Sequence, residues 1–366
     1  MQQQNRSDSE LGALHLSSWQ ERIPASILWG SSQAGNTILL ASSGWMVSGL
    51  SGSPLLNGML PAFGIIPLFL GLKQNRNGYF FQIISATLLI GLAWLPIESG
   101  PSKSIVLVGT FAALLLHGTG KALSSRSLKK DLLDRPGSSS EKLRVGQDLG
   151  FFIGNLITAM LFPAIRQFLP GLLLLLPITS SLNKNTQGSH PIPAQERPPL
   201  HGLCCLQGLV IGSLFALLAL WVREIDGGKC FDFAMVLAAY RLGRPLMIWM
   251  PNIAASTRYG LLIPLLIFSQ ISPVSWLSVA LFIPIGALIS SSELMLINSL
   301  TKVKESANRW RILESSSAIG GFIGSIGLGL LCQILGLAWA LPLVCVGLFS
   351  LALLHLRQPP TLQASA

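Results

Sequence analysis

"GFFIG", residues 150–154, returns as "GGFIG" at 320–324, 170 positions later. Upstream, "SLKK" (127–130) returns as "SLTK" (299–302), and "NRNG" (75–78) as "TRYG" (257–260). The three matches keep the same order, at offsets of 170 to 182 residues. Each copy runs from an apolar stretch through a basic loop into a glycine-rich stretch. This predicts a chain built twice from one unit, its second half related to the first by a pseudo-two-fold axis along a membrane normal.

The composition sets the solvent. Of 366 residues, 50% are hydrophobic and 11% charged, and the mean hydropathy is +0.58. Soluble domains carry roughly a quarter charged residues. The apolar residues gather in blocks long enough to cross about 30 Å of hydrocarbon. Twelve spans are predicted, near 24–47, 55–72, 79–97, 104–122, 149–165 and 167–182, then 202–222, 231–252, 259–273, 275–297, 319–336 and 338–356. The fold class is thus an all-α membrane protein of twelve transmembrane helices in two six-helix bundles. The predicted division is a polar tail (1–22), a first bundle (23–182), a proline-rich linker (183–200), a second bundle (201–357) and a short tail (358–366). The first 22 residues lack the apolar core of a cleavable signal peptide.

Charge distribution orients the spans. With the N-terminus cytoplasmic, and Lys121 counted with the loop it borders, cytoplasmic segments hold nineteen Lys and Arg against four in external loops. One missed span would invert every later loop, so the asymmetry supports cytoplasmic N- and C-termini. The formal charge of +10 is then a topology signal, and no nucleic-acid partner is predicted. The expected location is a bacterial inner membrane, and the expected state a monomer in the bilayer.

The loop after the second span reads Gly71-Leu-Lys-Gln-Asn75-Arg76-Asn-Gly78-Tyr79-Phe80. It resembles the G-x-x-x-D-R-x-G-R-R signature of the major facilitator superfamily, keeping both glycines and the arginine. Asn75 replaces the aspartate, and Tyr79-Phe80 the basic pair. The preceding "LSGSPLLNGMLPAFGIIPLFLG" is similar to the siderophore- and drug-exporter branch. The resemblance covers essentially the whole chain. It implies a permease working by alternating access, exporting a small organic solute, with Gly71, Asn75, Arg76 and Gly78 acting in conformational switching.

No enzyme is predicted. The five histidines (15, 117, 190, 201, 355) are scattered, the five cysteines form no metal-ligand spacing, and no cofactor motif occurs. Glycines at 150, 154, 320, 321, 324, 327 and 329 suit close helix packing, and would also give faces that slide.

Ionisable groups inside spans cost about 2.5–3.5 kcal/mol on insertion scales, so they face a partner or a wet cavity. Lys121 and Glu293 occupy equivalent places in the two halves. Either they pair to close the cytoplasmic side, or each snorkels to its own loop. Arg241 and Arg244, three residues apart, share a helix face, with Arg244 roughly 12 Å deep at the α-helical rise. With Glu293 the one acid well inside a span and Asp148 placed at an edge, the interior reads as positive. Guanidinium forks suit carboxylate or phosphate, which predicts an anionic solute bound by Arg241 and Arg244, with Tyr240, Asn36 and Gln33 beside them. The competing reading makes the arginines structural.

Gly35-Asn36 stands where the resembling exporters often have a glycine and aspartate. Coupling to protons through Glu293, facilitated diffusion and anion exchange are therefore all open. Two further functions fit the same scaffold: a non-transporting assembly factor for pigment or lipid, and a lysophospholipid flippase.

Overall fold

The computed structural model describes residues 23–356 apart from 71, 73–77, 96–99, 134, 136, 166–199, 252, 273–274, 301–302 and 304–305. The described residues are helical, with α1 Ala25–Leu50, α2 Pro54–Phe69, α3 Gly78–Ala93, α4 Gly100–Leu133 and α5 Ser140–Ile165 in the first part. The second part holds α6 Gly202–Ala216, α7 Leu218–Glu224, α8 Cys230–Gly243, α9 Ala255–Ile271, α10 Ser275–Ser299, α11 Ser306–Leu335 and α12 Ala340–Leu356. Short 3-10 turns follow α8 (Arg244–Trp249) and precede α12 (Leu337–Trp339). The predicted sixth span, 167–182, and the linker up to residue 199 lie outside the described residues.

Among the described residues, six stretches are long and apolar enough to cross a membrane: Ser102–Ser124, Ser140–Phe162, Gly202–Glu224, Trp276–Ser299, Asn308–Leu335 and Leu337–Leu356. Helix α1 is of another kind. It is 26 residues long but buries Ser32, Gln33, Asn36, Thr37, Ser42, Ser43 and Ser48, so it faces protein on most sides.

Three helices overrun their predicted ends. Helix α4 continues to Leu133, α5 starts at Ser140, and α11 starts at Ser306. Hydropathy marks where the apolar run ends, whereas the backbone hydrogen-bond ladder continues through polar residues beyond it. Helix α8 stops early instead. Pro245 lacks an N–H and disfavours the α conformation at the residue before it, so the chain passes into the 3-10 turn at Arg244.

Two glycine ladders use the repeated motifs. A Cβ on Gly146, Gly150 or Gly154 of α5 would strike the backbone of Ser26, Gly30 or Ala34 of α1. On α11, a Cβ on Gly320 or Gly324 would strike the backbone of Cys205 or Leu209 of α6. Small residues every fourth position let two helix backbones touch, which is how helices associate where lipid offers no hydrophobic driving force. One apolar core joins the two parts, placing Ile38, Ala41 and Trp45 of α1 with Phe233 of α8 and Leu328 of α11.

Candidate functional site: an arginine–carboxylate cluster

The overrun of α5 places Arg144 and Asp148 one turn apart on a continuous helix. Opposite them, α8 ends on Arg241 and the 3-10 turn opens with Arg244. Arg244 Nε donates to Asp148 Oδ1 at 2.8 Å. Its Nη1 and Nη2 donate to the two oxygens of Glu293 on α10, at 3.0 and 2.7 Å. Nη1 also donates to the Tyr240 hydroxyl at 3.2 Å. The fork is therefore filled by protein. The side chains of Arg244, Asp148 and Glu293 are 11%, 5% and 20% exposed, so the pairing is made in a largely desolvated place. There it needs the full set of charge-assisted bonds to offset dehydration.

Arg241 is held more loosely. Its Nη1 lies 3.6 Å from Asp148 Oδ1, beyond hydrogen-bond reach, and its side chain is 28% exposed. The guanidinium sits 4.1 Å from the Phe151 ring centroid, a cation–π contact. Arg144 donates to the Ser290 hydroxyl of α10 and lies 4.6 Å from the Trp310 ring centroid on α11.

Two expectations are corrected. Lys121 and Glu293 do not pair: Arg244 occupies both carboxylate oxygens, and no ion pair joins Lys121 to Glu293 among the described residues. The tie from α4 to α11 is instead Lys129 to Glu314, at 3.1 Å on an exposed surface. Nor do the arginines lack protein carboxylates. Asp148 lies two turns inside α5, and the helix start at Ser140 rather than 149 is what puts it there.

The remaining predicted residues divide. Arg241, Arg244 and Tyr240 do come together, both arginines reaching Asp148 as a shared face requires. Gln33 and Asn36 are buried on α1 and hydrogen-bond each other at 3.4 Å, with no bond to the arginines. Gly78 begins α3 and packs against the backbone of Gly120 on α4. Gly71, Asn75 and Arg76 lie outside the described residues. Sequence reasoning missed Arg144, Asp148, Phe151 and Ser290. The signal for the first two was "EKLRVGQDLGFF" (141–152), which places Arg and Asp four apart with no proline to end a helix.

No family model matches this chain, and no curated protein matches it in sequence. Solved structures do share its fold. A peptide transporter POT in complex with sulfate aligns with a TM-score of 0.62 at 12% identity, over 93% of this chain and 95% of the other. A point mutant of the nucleoside transporter NupG aligns with a TM-score of 0.60 at 12% identity, over 92% of this chain and 99% of the other. A bacterial homologue of the human lysosomal transporter Spinster, inward-facing and occupied, gives 0.51 at 12% identity, over 93% and 92%. The chain is an integral multi-pass membrane protein with the fold that these transporters share.

Proposed function

We propose that this protein is a secondary permease that moves a small organic solute outward by alternating access. In this reading twelve spans form two six-span bundles, with both termini in the cytoplasm. The duplicated glycine ladders of α1 with α5 and α6 with α11 support the bundle arrangement, since equivalent helices in each half use equivalent small residues. The outward direction rests on the resemblance of the α2 region to exporters.

The observation that carries the reading is the ionic seam between α5, α8 and α10. Asp148 of the first half and Glu293 of the second share one guanidinium. Such a contact can separate and re-form, since each partner keeps a hydrated alternative when the seam opens to water. An interdigitated apolar seam has no equivalent, because opening it exposes hydrocarbon surface. The solutes named for the neighbours, nucleosides and peptides, are small and organic, and the same class is proposed here.

Metabolite profiles of cells lacking the protein identify the solute, which should accumulate inside. Counterflow of that compound in proteoliposomes, with and without an imposed proton gradient, then reads flux and coupling. A purified stoichiometric complex with another membrane protein, and no flux of any accumulated compound, would replace the permease with an assembly factor.

A further inference from the structure

The repeated motif TRYG (257–260) lies in the first turns of α9, and two of its side chains are buried in the second half. Tyr259 stacks on His355 of α12, with ring centroids 5.3 Å apart. Arg258 is 6% exposed. Its Nη1 donates to the main-chain carbonyl of Ser291 on α10 at 2.9 Å. Helix α9 packs along both α10 and α12, so the motif ties three helices of the second half together.

Ser291 stands in a segment that two other arginines hold. Arg144 of α5 donates to the Ser290 hydroxyl, and Arg244 donates to both oxygens of Glu293. Arginines from α5, from the turn after α8 and from α9 thus grip residues 290–293 of α10, about one helical turn. They grip it by different groups. The bonds of Arg144 and Arg244 end on side chains, whereas that of Arg258 ends on the backbone and fixes the helix itself. A carbonyl oxygen has two lone pairs, so this bond adds to the helical ladder without displacing a bond from it. The contacts also differ in what they join. Arg144–Ser290 and Asp148–Arg244 join the first half to the second, while Arg258–Ser291 and Arg244–Glu293 lie within the second.

We propose that Arg258 is a positioning residue: its hold on the Ser291 carbonyl keeps Glu293 against Arg244 when α5 withdraws. The seam then parts between α5 and the α8–α10 pair, and Arg244 leaves Asp148 while keeping its second carboxylate. The reason is the cost of stranding ions. A guanidinium that lost both carboxylates at once would strand three charges, whereas keeping Glu293 leaves Arg244 neutralised and hands only Asp148 to the entering water. The bonds to Glu293 are 3.0 and 2.7 Å long, and a shift of about 1 Å in α10 would carry them out of hydrogen-bond range. The Arg258 bond, two residues from Glu293, resists that shift. The inference rests on the permease reading for the withdrawal of α5.

The first test is a double-variant cycle, read as the denaturation midpoint of the purified full chain in detergent. Arg258→Gln should lower the midpoint of the wild type, and should lower that of a Glu293→Gln chain by roughly half as much or less. Its loss should add in full to that of Arg223→Gln, and Arg258→Lys, which keeps a donor for the carbonyl, should restore most of it. Equal losses with and without Glu293 would mean that Arg258 only packs, and overturn the proposal. The second test uses spin labels on a chain whose five cysteines are replaced by alanine, and it stands even where Arg258→Gln fails to fold. Lys142→Cys on α5 with Asn298→Cys on α10 spans the seam, and Thr257→Cys on α9 with Asn298→Cys lies within the second half; all three positions are exposed. Asp148→Asn should add a longer distance to the first pair and leave the second unchanged. Where it folds, Arg258→Gln should broaden the second pair, and Arg258→Lys should restore it. A second pair that lengthens together with the first in Asp148→Asn, or ignores Arg258→Gln, overturns the positioning role. The two readings fail separately. A first pair that keeps one distance in every variant counts against the permease, and the cycle with Glu293→Gln still decides Arg258.

Discussion

Two arginines of the second half reach into the first, and they do so by different chemistry. Arg244 meets carboxylates on α5 and α10. Arg223, near the end of α7, meets none on α1. Its Nε donates to the Ser48 hydroxyl at 3.2 Å and its Nη2 to the Trp45 carbonyl at 3.0 Å. The guanidinium lies 4.0 Å from the Trp45 ring centroid, in space left by Gly49, where a Cβ would be 2.9 Å from Arg223 Nη1. Removing Arg244 strands two buried charges, whereas removing Arg223 strands a hydroxyl and a carbonyl. The first tie is all-or-nothing, and the second is graded.

The largest expected effect breaks the first tie. Arg244→Gln should cost about 3–5 kcal/mol, the range for leaving buried ions unpaired, read as a fall in melting temperature in detergent. Adding Asp148→Asn and Glu293→Gln should recover most of that loss. A triple variant no better than the single would mean that the guanidinium packs rather than neutralises.

Both ties depend on α1 and α5 staying together, because α1 carries Trp45 and α5 carries Asp148. Gly150→Val pushes a side chain into the Gly30 backbone and should cost roughly 1–3 kcal/mol as an overpacked contact. Gly327→Ala, which meets open space, should stay within about 0.5 kcal/mol. Equal losses at the two positions, in chemical denaturation of the reconstituted protein, would dismiss the ladder as the source.

On the opposite tie, Arg223→Lys keeps the charge but loses the planar stack and one donor, a loss of about 0.5–1 kcal/mol. Gly49→Val should give a similar loss by evicting the guanidinium. In a double variant the two losses should not add, and full additivity would place them in separate interactions. The smallest effect belongs to Lys129→Ala. Its partner Glu314 is more than half exposed, so the change should stay below about 0.5 kcal/mol and vanish in high salt.

How far each feature could be read depended on its range along the chain. The α1–α5 and α6–α11 ladders were legible because Gly150, Gly154, Gly320 and Gly324 stand at helical spacing within short repeated motifs. The shared face of Arg241 and Arg244 was legible for the same reason. Helix ends were not, because Ser140–Asp148 and Ser306–Ile312 continue helices through polar residues that hydropathy assigns to loops. That one error hid Asp148, and with it the neutralisation of Arg244. The Lys121–Glu293 match came from equal offsets along the sequence, and an equal offset is not contact between side chains.

By itself the sequence determined the solvent, the positions of the long apolar spans and the face on which its arginines stand. These follow from block hydropathy, loop charge and periodicity, all of them local or repeating along the chain. Tertiary structure alone decided which charges meet. Arg244 is 96 residues from Asp148 and 49 from Glu293. Only the packing of α5 and α10 against α8 brings those carboxylates to one guanidinium. A charge in a membrane is settled by its nearest partner in space, and the order of residues along the chain does not carry that distance.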